Sequence, residues 1–234
     1  MFIINPIRLG KGLRPKSMYT YLNNYEERVS IFYGIYLIQN GKYNILVDTG
    51  VDSKEYSRFS PRHFEDVKTI SQGLLDFGLN TNDINFIIQT HLHFDHTAFL
   101  KNFPNVKKYL QKKELEYALN PHSLFKNLYY KPYFEDVEFE LIDGDRNILP
   151  GLDVIFLPGH SPGCQGVLVE TKMGKVALTG FCCITNNFVQ NDNKKTLIIP
   201  TYHENPFLAY ESMQKIKQIA DYVYPIHEAE LVKV

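Results

Sequence analysis

Thr90-His91-Leu92-His93-Phe94-Asp95-His96 is the stretch on which the reading of this chain turns. Imidazole nitrogen and carboxylate oxygen are ligands that Zn²⁺ favours alongside thiolate, and here three histidines and an aspartate stand almost side by side. The run Ile84–Gln89 (INFIIQ) directly before them is short and rich in β-formers, so it predicts a strand, entered through Thr81-Asn82-Asp83. Residues two apart on an extended segment point the same way, so His91 and His93 can grip one ion together. If the chain then curls into a helix, Asp95 and His96 swing towards a second ion. The bland alternative, a polar loop that happens to be rich in histidine, leaves the order of the residues and the strand ahead of them unexplained.

Working outward, two blocks of similar grammar emerge. In the first, Ile31–Ile38 (IFYGIYLI) and Tyr43–Val47 (YNILV) read as buried strands joined by a tight turn at Asn40-Gly41, and Asp48-Thr49-Gly50 ends the second of them. Apolar Val67, Ile70, Leu74 and Phe77 predict a helix over Phe64–Phe77, closed by Gly78, and Lys112–Leu119 is the best helix of the middle region. The second block offers Phe139–Ile142, a turn at Asp143-Gly144-Asp145, Val154–Leu157, and then Gly166–Glu170 and Lys175–Thr179 around a turn near Lys172-Met173-Gly174. An amphipathic helix over Pro206–Ala220 and a last strand, Val223–Ile226, follow. Strands in hairpins with helices between them predict an α/β fold of two sheets packed face to face, helices outside. No Gly/Ser/Pro-rich linker separates the blocks, so residues 1–234 are expected to form a single domain of two halves; there is no solenoid repeat or low-complexity tract.

Composition narrows the class. The chain has 234 residues, with 25 basic against 26 acidic side chains for a formal net charge of −1, which argues against a sequence-blind grip on nucleic acid. An aromatic content of 14% with ordinary charge rules out a disordered chain. Cys164, Cys182 and Cys183 are odd in number and two are adjacent, a poor disulfide framework. The start, MFIINPIRLGKG, is broken by Pro6 and Arg8 and has no small-residue cleavage site, and no apolar run approaches the roughly 20 residues of a membrane helix. A soluble cytoplasmic protein is the expectation, with no nucleic-acid or membrane partner and a homodimer left as an open option.

His-Leu-His-Phe-Asp-His resembles the metal-binding signature of the metallo-β-lactamase fold hydrolases. The likeness runs from about Ile31 to Glu228: Asp48-Thr49-Gly50, the signature, Pro158-Gly159-His160-Ser161-Pro162-Gly163 and Pro225-Ile226-His227-Glu228 occur in that family's order. It is strongest towards the quorum-quenching N-acyl homoserine lactonases, where a Gly-Asp turn and a Pro-Gly pair also precede the loop, as Gly144-Asp145 and Pro150-Gly151 do here. The resemblance implies an αββα sandwich and two divalent metal ions, most naturally zinc. It assigns one site to His91, His93 and His160 and the other to Asp95, His96 and His227. It also implies that Asp95 serves catalysis by orienting a hydroxide nucleophile and shuttling a proton. Structural histidines are the alternative for His160 and His227. Asp48 reads either as a carboxylate that orients a ligating imidazole or as an acidic turn residue after a strand.

The pattern breaks at two positions. Members of the family with two metals usually carry a Gly-Asp pair after the strand corresponding to Lys175–Thr179, and that Asp bridges the ions; here the sequence is Gly180-Phe181-Cys182-Cys183. Cys182 matches the offset at which the zinc β-lactamases place a cysteine, so it is the candidate for the missing negative charge at the second site. Cys183 is the fallback, a buried small hydrophobe is the alternative for both, and occupancy of the first site alone is a third outcome. Cys164 is expected in the core. The second departure is Ile184, which stands where the lactonases have a tyrosine near the carbonyl oxygen; Tyr202 and Tyr224 are the nearby substitutes. The expected reaction is hydrolysis of a small lactone or ester, with an N-acyl homoserine lactone as one candidate. A glyoxalase-type thioesterase and a degenerate, non-catalytic metal- or ligand-binding member are the alternatives. Tyr19, Tyr21, Phe32, Tyr33 and Tyr36 are core aromatics that could also wall an acyl chain.

Overall fold

Every residue from Ile31 to Ile38 is buried, as a continuous apolar run in a strand covered on both faces requires. The computed structural model describes residues 1–60, 63–189 and 197–234, and the chain divides into two compact units. The first comprises residues 3–12 and 32–143, the second residues 1–2, 13–31 and 144–234.

The sheet of the first unit is built from β1 (Ile3–Pro15), β2 (Arg28–Gln39), β3 (Asn44–Val47), β4 (Glu65–Asp66), β5 (Phe86–Ile88), β6 (Lys107–Gln111) and β7 (Glu140–Ile142), in the order β4-β1-β2-β3-β5-β6-β7. β2 and β3 are antiparallel, whereas β3, β5, β6 and β7 run parallel. The expected hairpin is present: Gly41 takes the left-handed conformation (φ 81°), and the Asn40 side chain accepts from the amides of Lys42 and Tyr43. Its helices are α1 (Ser53–Phe59), α2 (Ile70–Leu75), α3 (Phe94–Thr97) and α4 (Lys112–Leu119), the last with the bounds expected from its sequence. Ile70 and Leu74 of α2 pack on Ile7, Leu9, Ile35, Leu37, Leu46 and Ile87.

The helix expected over Phe64–Phe77 is shorter than its apolar spacing suggested. Glu65–Asp66 instead pairs with Gly10 and Lys11 as a short edge strand. Thr69 and Gln72 then form a capping box, each side chain bonded to the other's backbone amide, and this starts the helix only at Ile70. β1 was not expected at all, because Pro6 and Gly10 interrupt its alternation; Ile7 and Leu9 nonetheless face the core on either side of Arg8.

The second unit holds an antiparallel meander, β8 (Arg146–Leu149), β9 (Leu152–Phe156), β10 (Gln165–Thr171) and β11 (Gly174–Leu178), extended by β12 (Tyr222–Tyr224) and β13 (Val232–Lys233). β12 runs parallel to β11, so this sheet, like that of the first unit, is mixed. In chain order, α5 (Thr185–Phe188) and α6 (Pro206–Ile219) fall between β11 and β12. Asn205 caps α6 by accepting from the amides of Phe207 and Leu208, with Pro206 at its first turn. Met213 and Ile216 of α6 pack against Ile155, Leu157, Leu168, Ala177 and Val223. Among the described residues no helix is long and apolar enough to cross a membrane.

Close strand packing in the first unit depends on Gly34, where an added Cβ would stand 2.3 Å from the carbonyl oxygen of Ile7. Gly34→Ala should therefore destabilise the protein by about 1–3 kcal/mol, read as a lower urea midpoint at unchanged m-value.

Candidate metal centre

The histidine-rich stretch leaves β5 as an extended segment and enters α3 at Phe94, with His93 at the helix N-cap. Alternation sends Leu92 into a cluster with Leu100, Leu110, Ala118, Tyr129 and Phe134. The rings of His91 and His93 are 4.5 Å apart and those of His91 and His96 4.2 Å apart, all three side chains buried. Glu114, wholly buried on α4, accepts from the Leu92 amide at 2.9 Å and so pins the backbone between the first two histidines. Tyr129 lays its ring against His93, 4.8 Å between centroids.

Asp48 organises the same loop from below. It sits at the end of β3 with a left-handed backbone (φ 64°), a conformation an aspartate tolerates better than most residues. Its Oδ1 accepts from the Thr90 amide (2.7 Å) and Gln89 Nε2 (3.1 Å), and its Oδ2 from the Thr90 hydroxyl (2.8 Å) and His96 Nδ1 (2.7 Å). With the Thr90 proton given to Asp48, the 2.9 Å contact between Thr90 Oγ1 and His91 Nδ1 requires His91 to donate. Both imidazoles thus carry their proton on Nδ1, which leaves Nε2 as the lone-pair atom.

In the second unit, Gly159 takes φ 129°, and its carbonyl accepts from the amides of Glu204 and Asn205 just before α6. His160 follows and donates Nδ1–H to the carbonyl of Tyr202 at 2.5 Å, which makes Nε2 its lone-pair nitrogen in the same way. His227 is positioned by main chain: its amide donates to the carbonyl of Cys183 (3.2 Å), and its ring meets Tyr19 edge-on at 5.6 Å.

One donor atom from each of His91, His93 and His160 lies within 4.8 Å of the other two, and the same holds for Asp95, His96 and His227. Two groups of three, one all-imidazole and one with a single carboxylate, are a donor set that suits borderline divalent cations. The fit is supported by the hydrogen bonds that engage Nδ1 of His91, His96 and His160 and so make Nε2 the lone-pair nitrogen of each ring. Burial pushes His96 towards neutrality, but the neighbouring carboxylates of Asp95 and Asp48 outweigh it and hold its pKa above the ordinary value. That is a site arranged for positive charge.

The departures take definite forms. Phe181 is buried in the core beside Phe188, so the position where a bridging Asp was expected does belong to packing. Ile184 is likewise buried, its amide donating to Asn187 Oδ1. Cys182 joins neither three-atom group. Cys183 lies in the same core cluster as Cys164, and its Sγ shares a 3.0 Å hydrogen bond with Thr179. Burial pushes the Cys183 thiol up to about 12, against the opposing bond from Thr179. Tyr202 serves by its carbonyl. Gln89, Thr90, Glu114 and Tyr129 were not anticipated; only Thr90, adjacent to the first histidine, carried any local signal.

A family model described as the metallo-beta-lactamase superfamily matches residues 35–180. An N-acyl homoserine lactonase from Bacillus thuringiensis is 28% identical over 204 residues, covering 82% of this chain and 77% of that protein. Among solved structures, an N-acyl homoserine lactone hydrolase with the product N-hexanoyl-L-homoserine bound at its catalytic metal centre superposes with a TM-score of 0.75 at 24% identity, over 97% of this chain and 92% of that one. AidC, a dizinc quorum-quenching lactonase, gives a TM-score of 0.68 at 17% identity over 97% and 87%.

Asp48→Asn isolates the hydrogen-bond role, since asparagine also accepts a left-handed backbone. Its amide must turn an NH₂ towards donors that now face Asp48 oxygens, so metal affinity should fall about 10–100-fold, measured by competition with a chromophoric chelator.

Proposed function

The chain belongs to the metallo-beta-lactamase superfamily, and from that premise we propose that it is a zinc-dependent hydrolase of small lactones or esters. The observation that carries this reading is the pair of three-donor groups, His91/His93/His160 and Asp95/His96/His227. The similarity to an N-acyl homoserine lactonase makes that lactone class the first substrate to assay. We read residues 1–234 as one hydrolase domain, supported by a family match that includes parts of both compact units. Among the described residues no disulfide joins the three cysteines, which supports a reducing, cytoplasmic setting.

Bound at these groups, divalent cations would supply Lewis acidity to the scissile carbonyl and to the attacking water. The protein's own residues do the rest. Asp95 is the single carboxylate of the two groups, with its side chain 14% exposed, and is placed to take a proton from water and pass it to the leaving alkoxide. His96 Nε2 lies 3.6 Å from Asp95 Oδ2, so these two donor atoms face the same space. Asp48 and Glu114 hold the loop so that neither imidazoles nor Asp95 need reorganise during turnover.

Cys182 is our proposed additional donor at the second site. Its support is the backbone bond from His227 to Cys183, which ties the His227 loop to the residue next to Cys182. A thiolate there would offset charge that Phe181 cannot.

The zinc-loaded protein is expected to bind two equivalents and to open N-hexanoyl homoserine lactone, followed by proton release. Asp95→Ala should lower kcat at least 100-fold. Absence of stoichiometric metal together with absence of turnover would favour a non-catalytic member of the family. Cys182→Ala should weaken one of the two zinc equivalents and leave the other; two unaltered affinities would remove Cys182 from the ligand set.

A further inference from the structure

Beyond the C-terminal end of α4, the first unit contains a cavity of about 650 Å³ that the hydrolase reading leaves without a role. It is large enough for part of a metabolite-sized molecule. Its lining includes Arg58, Lys126 and Lys131 and no acidic residue. Arg58 is already engaged, paired with Glu55 at 2.6 Å and laid over the Tyr130 ring at 5.6 Å. Lys126 and Lys131 line the same concave space, and neither forms an ion pair with an acidic side chain among the described residues.

The cavity adjoins the metal centre through one residue. Tyr129 is among its lining residues, and the Tyr129 ring stands 4.8 Å from that of His93. Tyr129 is itself fixed, being buried, edge-on to Tyr117 at 5.7 Å and with its hydroxyl 3.5 Å from Glu114 Oε1. The backbone carrying Lys126 and Lys131 therefore belongs to the same packed cluster that holds the histidine loop in place.

We propose that this cavity binds the anionic end of the substrate, so that the preferred lactone, ester or thioester carries a carboxylate or phosphate remote from the scissile carbonyl. The proposal rests on the hydrolase reading and narrows it. A neutral acyl chain gains nothing from two unpaired ammonium groups, whereas an anion gains attraction from both and meets no like charge.

The test compares two nearly isosteric aryl esters, neutral 4-nitrophenyl valerate and the carboxylate-bearing mono-4-nitrophenyl glutarate, on zinc-loaded wild type and on Lys126→Glu/Lys131→Glu. The charge reversal should lower the ratio of kcat/KM for the anionic over the neutral ester about tenfold, and added salt should shrink the ratio in the wild type. An unaltered ratio overturns the proposal. A second arm titrates glutarate and inorganic phosphate calorimetrically into both zinc-loaded proteins. Loss of a binding event in the variant supports the cavity and shows which anion it prefers; identical isotherms overturn it. If the wild type cleaves neither ester, the hydrolase reading falls, and the calorimetric arm still decides the anion site on its own.

Discussion

One carboxylate sets the geometry of the histidine loop. Asp48 is fully buried and satisfied by four donors, two from Thr90, one from Gln89 and one from His96. A buried carboxylate with fewer partners would be costly, and each partner here does a second task. Thr90 relays the constraint to His91, and His96 receives it directly. Gln89 Nε2 also donates to the carbonyls of His91 and His96, so the loop closes around the side chain that precedes it. Because hydrogen bonds fix both imidazole tautomers before any ion arrives, the protein meets its metal with donors already aimed. The left-handed backbone at Asp48 is the local strain that this network holds in place.

Much of this was legible in the sequence because the strong signals are local. A strand followed by His-Leu-His-Phe-Asp-His places donors by pleat and turn alone, and Leu92 joining the apolar cluster while His91 and His93 join one donor group is that alternation made visible. Lys112–Leu119 and Pro206–Ile219 were readable for the same reason, each having clear ends and an apolar face. What escaped was set by distant partners. β1 exists because its neighbours in the sheet supply hydrogen bonds that Pro6 and Gly10 do not advertise, and Glu65–Asp66 becomes a strand by pairing with Gly10 and Lys11. Glu114 lies 22 positions from Leu92 in sequence, and no periodicity marks a helical glutamate as the acceptor for a remote amide. Buried carboxylates of this kind resemble surface charges until the fold is known.

The loss of the expected bridging Asp has a structural counterpart. Phe181 is one wall of a core that includes Phe188, Leu157 and Met213, so an ionised side chain there would face apolar atoms unless the loop were rebuilt. The same loop is stitched by Thr179, whose hydroxyl accepts from the Ile226 amide and contacts Cys183 Sγ. Cys183 is thus occupied by the architecture that carries His227, and its high thiol pKa follows from that burial. The second donor group retains one carboxylate, Asp95, opposite two imidazoles. Fewer anionic donors leave a bound dication more positive, a stronger Lewis acid and a more weakly held one.

A more positive centre bears on substrate choice as well as on affinity for metal. Long-range attraction would draw anions of any kind towards it, so discrimination has to come from shape and from fixed charges nearby. Tyr129 contributes by placing an aromatic edge between His93 and the cavity of Lys126 and Lys131. An anion drawn inward would have two destinations, ions held by the donor groups and the lysines beyond Tyr129. A carboxylate that settles on the metals blocks the centre, whereas one held by the lysines leaves the donor groups open to the carbonyl of the same molecule. The lysines thus favour a productive orientation of a charged ester over the inhibitory one, and this gives two exposed cations a role that affinity alone would not require.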